Sequence, residues 1–195
     1  MTTLIVGRDS DIAAGICQLL PDAETTSRHG IGTFELDITK DVATWPQFER
    51  KYSKVYYCIG TVQNPSGKEI VDINGVSSYN FLRYLAPSVL DGATVQVLSS
   101  LGGSVGRAAI KMSPSNIYYK MGKAALNMGV IHLYNLYPNI NWQLVDPGLT
   151  DTKMTVGYQM NWPKLSALDA ARLLVDLPET KGLSFVNNRG EPIPW

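Results

Sequence analysis

Apolar and polar positions along the chain follow two rhythms, short runs of β-formers and longer stretches with helical spacing. Residues 4–6 are an apolar strand that runs straight into GRDSDIAAGICQLL, where Ile12, Cys17, Leu19 and Leu20 mark a helix. Residues 24–27 and 33–36 predict two more short strands, residues 43–52 a helix, and residues 54–59 (KVYYCI) a buried strand. A long helix follows over residues 69–85, with Pro87 as its stop, and then a strand over 94–98 that ends in the small residues SSLGG. Residues 115–136 form a helix that ends before Pro138, and residues 142–145 a strand closed by Asp146-Pro147-Gly148. Residues 166–176 are helical, with Ser166 as cap and Asp169 three positions on; residues 185–186 and the tail GEPIPW give a last short strand.

Strand and helix in alternation, joined by short links, predict a parallel sheet covered on both faces. The expected fold class is therefore α/β, a single-domain Rossmann-like doubly wound sheet over residues 1–195. No Pro/Gly/Ser-rich linker, repeat or low-complexity segment divides the chain.

Composition narrows the function classes. Hydrophobic residues are 45% and charged residues 17% of the 195, a globular balance. Lysine plus arginine equals aspartate plus glutamate, 17 against 17, with no block of like charge, so no nucleic-acid or anionic-membrane partner is expected. The opening MTTLIVGRDS lacks a basic n-region, and no apolar run approaches the ~18 residues of a membrane span, so a cytoplasmic protein is expected. Cys17 and Cys58 form no disulfide framework, and His29 and His132 lack metal-ligand partners, so no metal is expected.

Candidate chemistry sits where strands end. Gly7 opens a tight turn into a helix N-terminus, a place where backbone N–H groups can face a pyrophosphate. Arg28 stands twenty-one positions after Gly7, near the position that reads the ribose 2′ group. Ser27 and Arg28 replace an acid there, and a guanidinium fork suits a phosphate, which favours NADP(H) and leaves NAD(H) open. In YYKMGKAALNMG, Tyr119 precedes Lys123 by four and shares its helix face, whereas Tyr118 has Gly122 at that spacing. A neighbouring ammonium favours phenolate, bringing a phenol of pKa ~10 toward the range useful for general acid–base work. Ser99-Ser100 ends a strand at the sheet's carboxyl edge, where ligands of open α/β sheets bind.

Taken in this order, the motifs resemble the short-chain dehydrogenase/reductase family along nearly the whole chain, in its compact C-factor-like subgroup on the strength of GEPIPW. The family's YxxxK reads Tyr119 to Lys123, its serine falls on Ser100, and the asparagine of its tetrad falls on Asn74 in VDINGVSSYNF. Ser99 and Ser104 stay open as substitutes, since the gap of 19 from Ser100 to Tyr119 is longer than usual. The resemblance implies a cofactor site on Gly7, Arg8, Asp9, Ser10, Asp11 and Ile12 of the first loop and on Ser27 and Arg28 after the second strand. It continues through Asp37 and Ile38, through Cys58, Ile59 and Gly60, and through Tyr119 and Lys123 to Pro147, Gly148, Leu149, Thr150 and Thr152. Asp11 and Ala13 stand at the later glycine positions, and Tyr57-Cys58-Ile59-Gly60 replaces Asn-Asn-Ala-Gly, so Cys58 is expected as a packing residue.

What the resemblance implies is an NAD(P)-dependent oxidoreductase acting on a small carbonyl or alcohol, with Tyr119 as acid/base. A cofactor-binding regulator with little turnover is the alternative, and a scaffold that binds no nucleotide is a third. Residues 149–165, with Val156, Tyr158, Met160 and Trp162, are expected to form a short, partly apolar lid. The helices around Asn74 and Tyr119 carry Phe81, Leu82, Met121, Met128 and Ile131, and similar proteins pair these helices, so a homodimer or homotetramer is expected.

Overall fold

In β1 (Thr3–Val6) successive apolar side chains point to opposite faces of the sheet, and Leu4, Ile5 and Val6 are all buried. A computed structural model of the chain describes residues 2–62, 66–108, 116–156 and 163–195, and in it both faces of every central strand are covered. The strands β2 (Glu24–Ser27), β3 (Phe34–Glu35), β4 (Tyr52–Tyr57), β5 (Val89–Leu98), β6 (Asn141–Asp146) and β7 (Leu183–Asn187) complete one sheet. Its order is β3-β2-β1-β4-β5-β6-β7, parallel throughout. The order reverses between β1 and β4, so the doubly wound architecture expected from the alternation is present, with its crevice at that switch point.

Two apolar layers flank the sheet. Leu4, Val6, Val55, Tyr57, Val95, Val97 and Leu144 face the helices that bring in Phe81, Leu82, Leu85, Leu126, Val130 and Leu133. Those helices are α3 (Ser78–Leu85) and α5 (Ile117–Leu136), and a short α2 (Gly67–Val71) precedes α3. On the other face Ile5, Tyr56, Cys58, Leu98, Val145 and Val186 meet Ile12, Ile16, Ala170, Ala171 and Leu174. These come from α1 (Asp11–Leu19) and α6 (Ala167–Val175). A short α4 (Val105–Ala108) follows β5, and the tail turns back so that Pro192 pairs antiparallel with Val186.

Three expectations need correction. Residues 43–52 are not a helix: a single 3-10 turn, Val42–Thr44, ends at Trp45, which is extended with ψ 145 ahead of Pro46. Proline's ring disfavours the helical region for the residue before it, and that overrides the apolar spacing. The helix over 69–85 is two helices joined by a π-helical turn, Asp72–Ser77. The Asn74 amide donates to the Ile70 carbonyl at 2.8 Å and the Ser78 hydroxyl to the Ile73 carbonyl at 2.6 Å, side-chain insertions that widen a helical ladder. Finally β4 ends at Tyr57 rather than 59, and β5 begins at Val89 rather than 94. Ser115 and the lid residues Tyr158, Met160 and Trp162 lie outside the described residues.

Candidate active site

Three features of the backbone build the crevice. Gly7 ends β1 with φ 87, a left-handed conformation that glycine adopts freely. A Cβ there would lie 2.7 Å from Ile59 Cγ1, so the turn also depends on the close passage of the β4 loop. Ser10 then caps α1, its hydroxyl accepting the Ala13 N–H at 3.2 Å. The resulting cavity, about 450 Å³, runs along the carboxyl ends of β1, β2, β4, β5 and β6.

Most of the residues expected at a dinucleotide lie on its wall: Gly7, Asp9 to Ile12, Ser27, Arg28, Asp37, Ile38, Cys58 to Gly60, Pro147, Gly148, Thr150 and Thr152. Arg8 and Leu149 do not. The Arg8 guanidinium turns away to the Ile31 carbonyl, and the Leu149 carbonyl accepts the Leu165 N–H. Thr26, Thr61, Ile73, Lys153 and Thr155 also line the wall, without having been singled out from the sequence. Thr26 carried no motif, yet its hydroxyl accepts the Gly7 N–H at 3.0 Å and ties the turn to β2.

The two carboxylates of the first loop hold donors of neighbouring segments. Asp9 accepts the Ser27 hydroxyl at 2.7 Å and the Arg28 N–H at 2.9 Å. Burial alone would raise its pKa, but those two hydrogen bonds and the charges of His29 and Arg28 outweigh it, leaving Asp9 below its ordinary value. Asp11 reaches across to the 3-10 turn Lys153–Thr155, accepting the Lys153 N–H at 2.7 Å with the Lys153 ammonium 3.7 Å away.

At the other end, Tyr119 and Lys123 share one face of α5, and both line the cavity. The Lys123 ammonium lies 5.9 Å from the Tyr119 ring centroid and donates to the Leu98 carbonyl at 2.8 Å. It is 3% exposed, and burial lowers its pKa to about 8. Tyr118 is half-exposed and its ring covers Gly67 instead. Asn74 sits on the π turn with its amide donating to the Thr61 carbonyl at 2.6 Å and its oxygen accepting the Thr61 N–H at 3.1 Å. A Cβ on Gly60 would stand 2.9 Å from Asn74 Oδ1 and 3.2 Å from Lys123 Nζ, so asparagine and lysine close on the same glycine. Cys58 is buried among apolar residues, and burial pushes its thiol pKa well up.

The three candidate serines differ in what their hydroxyls do. Ser99 lines the cavity but donates to Asn127 Oδ1 at 2.5 Å. Ser104 donates to the Pro194 carbonyl and accepts the Arg107 N–H. A hydroxyl has a single proton, so both have committed theirs inside the fold. Ser100 lies off the described wall; its oxygen accepts the Gly102 N–H at 3.0 Å, which leaves its O–H as a donor. Asp146, buried and with its pKa raised by that burial, accepts the Leu101 and Gly148 N–H groups and links the serine loop to the Pro147-Gly148 loop. Among the described residues no group of three potential metal ligands occurs, and no helix is long and apolar enough to cross a membrane.

No protein-family model and no curated protein matches the sequence. Solved structures do resemble the fold. A protein from Burkholderia multivorans assigned as a short-chain dehydrogenase/reductase, with bound NADP, superimposes with TM-score 0.78 at 18% identity, covering 100% of this chain and 99% of its own. A carbonyl reductase from Pseudomonas aeruginosa PAO1 gives TM-score 0.78 at 19% identity with both chains fully covered. The NADPH-bound carbonyl reductase from chicken fatty liver gives 0.74 at 18%, covering 100% and 98%. At these identities the likeness is one of fold.

Proposed function

We propose that the protein is an NAD(P)-dependent oxidoreductase of the short-chain dehydrogenase/reductase type, using NADP(H) in preference to NAD(H), that reduces a small carbonyl compound or oxidises the matching alcohol. The observation that carries this reading is the Tyr119–Lys123 pair on one wall of the crevice, 5.9 Å from ammonium to ring centroid. The similar structures named for NADP- or NADPH-bound proteins support the cofactor class.

The crevice fits a dinucleotide by its own geometry. Gly7, without a Cβ, lets Ile59 of the loop after β4 pass close beside the first turn, and the capped N-terminus of α1 borders the cavity, where backbone N–H groups favour an anion. Ser27, Arg28 and Asp37 would hold the adenosine end, Ile59 and Gly60 the middle, and Pro147, Gly148, Thr150 and Thr152 the nicotinamide end. When bound, the nicotinamide supplies the hydride that reaches the carbonyl carbon.

Tyr119 gives its phenolic proton to the oxygen that becomes the hydroxyl, and Ser100 holds that oxygen with its O–H. Lys123, with a pKa of about 8, carries its charge at neutral pH and favours the phenolate left behind. One of its three N–H donors goes to Leu98, so two remain for a ribose hydroxyl and for proton supply. Asn74 positions a water that connects Lys123 to solvent.

Tyr119→Phe tests the assignment. Turnover in a panel of carbonyls, followed by NADPH absorbance, should fall by about three orders of magnitude or more while NADPH binding persists. Turnover equal to the parent's would overturn the role of Tyr119.

One observation favours a second reading, a cofactor-binding regulator with little turnover. Asp9 and Asp11 already hold donors that an anionic ligand would use. A thermal shift with NADPH but no turnover on the panel would select it. The subunits are proposed to pair through α3 and α5 as a homodimer or a doubled dimer.

A further inference from the structure

Tyr119 and Lys123 continue along α5 to a third polar residue at the same spacing, Asn127. It is 4% exposed on a face otherwise occupied by Leu126, Val130 and Leu133. Burying a primary amide is costly unless its groups are satisfied, and here they are. Its Nδ2 donates to the Gly103 carbonyl at 3.1 Å, and its Oδ1 accepts the Ser99 hydroxyl at 2.5 Å. The orientation is forced, because a carbonyl only accepts: Gly103 must face the NH2 group, so Ser99 must face the oxygen and spend its proton there. One side chain thus grips both ends of the loop that contains Ser100. On its far side Asp146 accepts the Leu101 N–H, and one helical turn earlier Lys123 donates to Leu98, the residue before the loop.

We propose that Asn127 is a positioning residue for the reaction, which fixes the 99–103 loop so that the Ser100 hydroxyl faces the same oxygen as Tyr119. This rests on the oxidoreductase reading above. It gives Ser99 a role in the clamp and leaves Ser100 as the hydrogen-bond donor to substrate. Asn127 itself touches neither substrate nor cofactor.

The test uses Asn127→Leu and the nearly isosteric Asn127→Asp, each alone and with Ser100→Ala, assayed with NADPH and a carbonyl that the parent protein reduces. Asn127→Leu should lower kcat about tenfold or more, because misplacing a catalytic group by an ångström costs on that order, with the NADPH dissociation constant within about twofold. In the Ser100→Ala background the same change should cost little more, since both act through one hydroxyl. Asn127→Asp keeps the acceptor for Ser99 but, when ionised, cannot donate to the Gly103 carbonyl. Its kcat relative to the parent should rise as pH falls and the acid regains an O–H. Lys123, Asp146 and Arg107, the charged groups around this loop, are present in both proteins, and the ratio is read below about pH 7, where Lys123 keeps its charge in both.

Independent, additive losses, an unchanged kcat, or a pH-flat ratio for Asn127→Asp would each overturn the proposal. Should Asn127→Leu fail to fold, Asn127→Asp carries the test. A parent protein with no turnover on any carbonyl overturns the oxidoreductase reading and this role with it. A parent that turns over beside unaffected Asn127 variants overturns the positioning role alone.

Discussion

At Lys123 a single ammonium is held against burial, and its pKa of about 8 makes the cost measurable. The sign follows from proton counting. Between about pH 8 and the ordinary lysine value of 10.5, the unfolded chain binds the proton that the folded chain has released, so stability rises with pH across that window. Below pH 8 both states are charged and the full penalty, roughly 3 kcal/mol on the pKa difference, remains in place. Lys123→Met should therefore remove that rise, so that the stability difference between parent and variant in denaturant titrations changes between pH 8 and 10.5; parallel curves would contradict the shift. Gly60 offers a steric test at the same spot. Gly60→Ala would push a methyl to 2.9 Å from Asn74 Oδ1 and 3.2 Å from Lys123 Nζ. It should cost about 1–3 kcal/mol of stability, as overpacking does, and lower turnover as well.

Among the elements, the first turn of α1 carries an unusual load. Helix N-termini favour anions, and here Asp11 supplies one from within, bound to the backbone of the Lys153–Thr155 turn. The arrangement holds that turn against the mouth of the crevice and sets a carboxylate beside the place proposed for a pyrophosphate. Asp11→Asn keeps an acceptor for Lys153 while removing the charge. NADPH affinity, measured by fluorescence titration, should improve by roughly threefold to tenfold, the range expected of one partly screened like charge. The π turn is the other element with a specific task. It brings Asn74 to Thr61 and Gly60, and α5 lies close enough that a Cβ on Gly122 would stand 2.7 Å from Asn74 Cβ.

For the whole molecule, the layering leaves a helical surface of α5 and the π turn to account for. Phe81 and Leu82 are buried against the sheet, but Met121 and Met128 of α5 and Val76 of the π turn are half-exposed or more. The Tyr79 hydroxyl meets His132 Nδ1 at 2.9 Å on the same side. A twofold pairing of α3 and α5 would cover this surface, since an isologous contact places each patch against its own copy. Met128→Asp combined with Met121→Asp should then shift the protein from dimer to monomer in light scattering at micromolar concentration, with little loss of secondary structure. A parent that is monomeric under those conditions would remove the pairing.

The sequence by itself determined the fold class and the order of elements. Alternating buried strands such as KVYYCI and the helical run after Tyr118 encode burial locally, and period and length separate a buried strand from a helix without knowing the partners. It also put Gly7, Tyr119 and Lys123 in view, because their chemistry depends on local spacing. What only the tertiary structure decided depends on groups far apart in the chain. The grip of Asn127 on Ser99, the bond of Asp11 to Lys153, and the approach of Asn74 and Lys123 to Gly60 all join distant segments. The same holds where one local rule met another: Pro46 ended the turn that apolar spacing extended to residue 52, and the Asn74 amide opened a helix that periodicity drew as continuous. A hydroxyl has one proton to give, and which acceptor takes it is fixed by the neighbours that packing supplies.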